Sequence, residues 1–142
     1  MYDVEMDIYA PCAMGATVNP ETIPRLKCSI VAGSANNQLA KERRDGPALA
    51  DRDILYAPDY VINAGGLINV ANELEGYNDE RARQQVNGIY DIISDIFTIA
   101  RDEQQLPHEA ANILALRRIA GIGRIKNHWC GVSPNRRGRS SV

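Results

Sequence analysis

The sequence predicts an α/β fold with parallel strands, followed by two long helices. Three observations carry this. Short runs with β-branched and aromatic residues, "MDIYAPCA" (6–13), "CSIVAGSANN" (28–37) and "ILYAPDYVINA" (54–64), alternate with helical or turn-rich stretches. Each run ends in proline, glycine or asparagine, as a strand does where it hands over to a loop. From Gly66 the apolar period changes from two to about 3.6 residues, the helical period, and helical patterning continues to about Lys126.

The first strand ends at Pro11, and "ETIPRLK" (21–27) is a short helical turn broken at Pro24. The second strand holds Ile30 and Val31 and stops at Gly33-Ser34. "QLAKERR" and "PALADRD" predict a helix in two pieces around Gly46-Pro47. The third strand region is interrupted by Pro58, resumes as a buried strand over Tyr60 to Asn63, and gives way to a helix at Gly65-Gly66. Leu67, Val70, Ala71 and Leu74 share one face of that helix, and Gly76 closes it. Asn78 caps the next helix, with Asp79 and Glu80 in its first turn, where the helix dipole favours them. Ala82, Val86, Ile89, Ile93, Ile96 and Ala100 carry its apolar spacing to about residue 104. Pro107 opens a last helix that runs to about Lys126. Residues 1–127 are expected to form one domain, and 128–142 a disordered basic tail.

A chain of 142 residues, 44% hydrophobic and 24% charged, suits one domain with a real core. No apolar run approaches the roughly 20 residues of a membrane helix. The N-terminus "MYDVEMDIYA" is acidic and lacks the basic start of a secretory signal, so a cytoplasmic location is expected. Cys12, Cys28 and Cys130 are odd in number and form no CxxC pair, which suits reduced thiols. His108 and His128 stand in polar stretches far from any cysteine pair, so no metal site is expected. No acidic residue follows Glu109, while Arg117, Arg118, Arg124, Lys126, Arg136, Arg137 and Arg139 do. No aromatics interleave with these charges and Trp129 stands alone. A solvated terminus is therefore expected there, and nucleic acid is not expected as a partner.

Parallel sheets bind ligands at the carboxyl ends of their strands. Here those ends are Pro11-Cys12-Ala13, Gly33 to Asn37, and Asn63 to Gly66. Asn36 and Asn37 either make a turn or offer a paired donor and acceptor to a planar amide. Asn63, between Ile62 and Ala64, needs a polar partner, which a ligand can supply. Gly65 and Gly66 serve either a tight strand-to-helix turn or bare backbone against a flat ring or a carboxylate. Leu67 and Val70 are either core or an aliphatic wall beside a substrate.

Three segments, "APCAMG", "AGSANN" and "YVINAGG", occur in order across "DIYAPCAMGATVNPETIPRLKCSIVAGSANNQL" and "DILYAPDYVINAGGLINVANELEGYN". This pattern resembles the nucleotide domain of the glutamate/leucine/phenylalanine/valine dehydrogenases, with the leucine-specific members the best match, over about residues 3–127. Asp53 departs from the family pattern, which has glycine there. The resemblance implies a partial Rossmann-like parallel sheet, the C-terminal half of a dinucleotide-binding domain. It also implies oxidative deamination of an L-amino acid to a 2-oxo acid and ammonia, with NAD as hydride acceptor. Ala13 and Met14 would border the cofactor groove. Ser34, Ala35 and Asn36 would reach the nicotinamide ribose and amide, Asn36 would also approach the substrate, and Asn63 would bond the carboxamide. Gly65, Gly66, Leu67 and Val70 would line the substrate pocket. Two aliphatic residues there suit L-leucine or a related branched-chain amino acid better than glutamate, and leave phenylalanine open.

The family's catalytic lysine and aspartate belong to an N-terminal domain. Lys27, Lys41 and Lys126 have no such context, so no catalytic residue is expected in this chain. The GxGxxG turn for the pyrophosphate is missing too, since Gly121-x-Gly123 falls inside a helix. The chain is therefore expected to be inactive alone and to need an N-terminal catalytic half. The full enzyme would be a homo-oligomer. The alternative is a non-catalytic association module, built on the helices at 79–104 and 107–126, or a relic of the enzyme.

Overall fold

The computed structural model describes residues 1–74 and 76–126. The tail expected from residue 128, with His128, Trp129 and Cys130, lies outside the described residues.

Three short strands, β1 (Ile8–Tyr9), β2 (Ile30–Val31) and β3 (Leu55–Tyr56), form a parallel sheet in the order β1-β2-β3. Ile8 pairs with Ile30 and Ile30 with Leu55, while Tyr9, Val31 and Tyr56 form the second row. The chain is thus α/β with parallel strands, as the sequence predicts. Alternation puts Tyr9, Val31 and Tyr56 on one face, where Val18, Ile23, Leu26, Leu39, Leu49 and Ile54 close a buried core over them. Ile8 and Leu55 point from the other face and stay exposed.

Helix α1 (Glu42–Ala50) is one continuous element with Pro47 inside it, not two pieces. Gly46 explains this: with no Cβ it avoids the clash that drives a residue before proline out of the helical region. The helix also starts later than "QLAKERR" suggests. Leu39 is held extended by a bridge to Val18, and Gln38 is buried. The end of α1 wraps in a Schellman pattern. Asp53 N–H bonds Ala50 C=O (2.9 Å), Ile54 N–H bonds Leu49 C=O (3.0 Å), and Asp53 sits at φ 55°. That left-handed position is one that glycine takes without strain.

Tyr60 to Asn63 is not a strand. β3 ends at Tyr56, and α2 (Asp59–Ile62) begins directly after Pro58, whose φ of −54° suits a helix start. The β-branched pair Val61-Ile62 misleads here because tertiary context overrides propensity. Val61 packs against a second apolar cluster centred on Ile96, Ala110 and Ala111. The handover from strand to helix therefore falls at Ala57-Pro58. Gly65 and Gly66 are the first residues of α3 (Gly65–Leu74).

Gly76, at φ 82°, follows α3 as expected. Asn78 Oδ1 accepts from Arg81 N–H (2.9 Å) and caps α4 (Asp79–Asp102). A short turn leads to α5 (Pro107–Lys126), whose start is held by Glu109 accepting from Leu106 N–H (3.1 Å). Helices α4 and α5 form a hairpin around the second cluster. His108, expected in polar surroundings, is instead buried, with its imidazole against Gly46 where any side chain would collide. Gly46 thus serves both the proline behind it and the docking of α5.

Candidate functional site

The exits of β1 and β2 are pressed together. Ala35 N–H bonds Pro11 C=O (2.9 Å), and a Cβ on Gly33 would overlap the backbone of Pro11. A Cβ on Gly15 would come within 2.8 Å of Asn36 C=O. Ala16 N–H donates to Asn37 C=O (2.7 Å), Val18 N–H to Gln38 C=O (3.0 Å), and Ala40 N–H to Val18 C=O (2.9 Å). Asn37 takes φ 52°, a conformation asparagine tolerates better than most residues. These contacts make the two loops one rigid floor.

Over this floor lies an open cleft of about 630 Å³. Ser34, Asn36, Asn63, Gly66 and Leu67, all expected from sequence, line it together. Asn63 Nδ2 donates to Asn36 Oδ1 at 2.5 Å, so residues 27 positions apart form an amide pair. The bond uses one donor and one acceptor. It leaves the pair with the amino group of Asn36 and the carbonyl of Asn63, a pattern complementary to a primary carboxamide. Gly66 opens onto the same cleft, and a Cβ there would meet nothing within 4 Å. At Gly65 it would touch only Val86 Cγ2 at 4.0 Å. The protein's own packing therefore requires neither glycine.

Leu67, Val70 and Leu74 are not core. They are 74%, 57% and 88% exposed, and run as one stripe from the cleft along the outer face of α3. The inward residue is Asn72, which donates to Gln85 Oε1 (2.6 Å) and accepts from Arg81 Nε (2.5 Å). Leu67 reaches the cleft, and Val70 lies one turn further along.

The remaining expected residues are placed otherwise. Ala13 and Met14 line a separate groove of about 250 Å³ at the β1 exit, shared with Cys12. The Cys12 thiol is held below its ordinary range by hydrogen bonds from Ser34, so the two grooves meet at that pair. Ala35 is buried, and both of its main-chain groups are engaged within the protein. Gly65 faces a different groove, beside Val86 and Tyr77.

Two cleft residues were not foreseen, Asp59 and Tyr60. Their signal was Pro58, which starts a helix and so turns the next two side chains toward the loop after β2. Burial, then Glu42 and Asp59, push the Tyr60 phenol up to about 12. Burial also raises Tyr56. Both phenols stay protonated at neutral pH and act as donors. Among the described residues the cleft lining holds no lysine or histidine for proton transfer. No group of three or more His, Cys, Asp or Glu among the described residues could hold a metal ion. None of the described helices is long and apolar enough to cross a membrane.

The family described as Glutamate/Leucine/Phenylalanine/Valine dehydrogenase matches residues 1–124. The chain belongs to this family. It is 60% identical over 119 residues to the leucine dehydrogenase of Thermoactinomyces intermedius, covering 84% of this chain and 32% of that protein. The leucine dehydrogenase of Bacillus cereus is 57% identical over 122 residues, covering 86% and 33%. The crystal structure of L-tryptophan dehydrogenase from Nostoc punctiforme superposes with a TM-score of 0.84 at 51% identity, covering 87% of this chain and 37% of that one. The chain thus spans about a third of the length of the curated relatives it matches. Membership in this family places the chain in an oxidoreductase lineage.

Proposed function

We propose that this chain forms the nicotinamide end of the NAD-binding domain, over residues 1–127, of an enzyme that oxidatively deaminates L-leucine or a related branched-chain amino acid. The carrying observation is the conjunction of the Asn36–Asn63 amide pair with unobstructed backbone at Gly66 in one cleft. The donor and acceptor left on that pair suit the carboxamide of nicotinamide, and the missing Cβ leaves room for its ring. NAD supplies the hydride acceptor when bound. Asn36 and Asn63 hold the carboxamide, Gly66 lets the ring approach, and Leu67 and Val70 orient an aliphatic side chain and exclude water. Ala13, Met14 and Ser34 border the cofactor further along the β1 exit, with Ala35 supporting the loop from beneath.

The proton-transfer groups come from elsewhere, because among the described residues the cleft lining has no lysine or histidine. The chain is accordingly inactive alone and works with a catalytic half that corresponds to the rest of its relatives. The test combines this chain with the N-terminal two thirds of a leucine dehydrogenase and follows NADH formation from L-leucine. Activity that requires both parts is expected. A folded complex without activity contradicts the proposal.

A second reading, an association module, is favoured by Leu116, Ile119 and Ile122, which are exposed on α5 as Leu67, Val70 and Leu74 are on α3. Sedimentation of the chain alone separates the two. A discrete oligomer that does not dissociate when the catalytic half is added supports the module.

A further inference from the structure

We infer that Asp59 is a positioning residue that sets the spacing of the Asn36–Asn63 amide pair. It is buried, its side chain bonds the loop that carries Asn36, and its main chain bonds Asn63. Its Oδ2 accepts from Gln38 N–H (2.7 Å), two residues beyond Asn36, and from Tyr56 OH (3.0 Å). Its carbonyl accepts from Asn63 N–H (2.9 Å), one helical turn on. Gln38 in turn closes the loop on itself, with Nε2 donating to Gly33 C=O (2.5 Å) and Ala35 C=O (3.0 Å). Segment 33–38 is thus a preformed unit, and Asp59 bolts it to the short helix that Asn63 ends.

The plain alternative is an acidic residue that serves its own helix dipole. That does not account for where the carboxylate points. It reaches across 21 positions to the amide of Gln38 and back to Tyr56, and α2 is only four residues long. A buried carboxylate satisfied by neutral donors is a costly way to start so short a helix. Its return is a fixed distance between two amides that must face one ligand group together.

The inference gives a positioning role within the function proposed above, so its test uses the ligand-free chain. The readout is hydrogen exchange at the Asn63 side-chain amide, its resonance assigned from its loss in Asn63→Asp. Asp59→Ala is expected to speed that exchange by about tenfold, the scale of one lost hydrogen bond. Backbone amides around Leu49 should not change. Asp59→Asn keeps an oxygen acceptor and is expected to restore slow exchange to within about threefold. Unchanged exchange at Asn63 in Asp59→Ala overturns the inference, as does equal acceleration at Leu49. If Asp59→Ala does not fold, Tyr56→Phe removes one of the two donors and should speed exchange at Asn63 by a smaller factor. No change there also overturns it. Slow exchange restored by Asp59→Asn, together with no activity in the complemented enzyme, would sink the dehydrogenase proposal and leave the strut intact.

Discussion

In residues 1–57 the apolar side chains on one sheet face are covered: Tyr9, Val31 and Tyr56 lie under Leu26, Leu39 and Leu49. In residues 65–126 the clearest apolar stripe, Leu67 to Leu74, points to solvent, and the amide of Asn72 is buried in its place. The same rule of periodicity applies to both stretches. It says that a face is to be covered, not by what. The sheet side supplies its own cover through the β1 and β2 loops and α1. The outer face of α3 does not, and its stripe begins inside the cleft. The difference separates the part of the chain that covers its own apolar face from the part proposed to meet ligand and partner.

The largest contrast lies in stability. Leu49→Ala should cost about 2–5 kcal/mol in urea denaturation, because a fully buried side chain leaves a cavity. Leu74→Ala should cost less than about 0.5 kcal/mol. A large cost at Leu74 would break the comparison. Next comes Val70→Ser in the complemented enzyme. Leucine turnover should fall about 10- to 100-fold, as for a hydroxyl placed in an aliphatic pocket, with the melting temperature unchanged. Equal loss of NAD binding would show that Val70 supports the fold. The smallest effect is a gain. Asp53→Gly should stabilise the chain by about 0.5–1 kcal/mol, since glycine takes the left-handed position without strain.

Much of this was legible in the sequence because local chemistry and global packing agree. Asn78, Gly76 and Pro107 act where caps and breakers should, and the strands are centred on Ile30-Val31 and its neighbours. The errors cluster where a single residue redirects the chain. Pro58 converts an apparent strand at Tyr60–Asn63 into a helix, and Gly46 lets Pro47 stay inside α1. The glycine pair makes no strand-to-helix turn, yet the bare backbone of Gly66 faces the cleft. Asn36 and Asn63 each stand out in the sequence, but their pairing across 27 positions follows from the sheet order, not from spacing. Asp59 carries no signal of its own in the sequence, because a carboxylate in a helix's first turn ordinarily needs no further account.

The most direct test of the account is Gly66→Ala, read both as a thermal melt of the chain alone and as L-leucine-dependent NADH formation in the complemented enzyme. A Cβ at Gly66 meets nothing in this chain, so stability should hold or rise by up to about 1 kcal/mol. Activity should fall by more than about tenfold, because the methyl group enters the space proposed for ligand. Full activity with alanine at this position, or a destabilised chain, would contradict the claim that the backbone is left bare for a ligand.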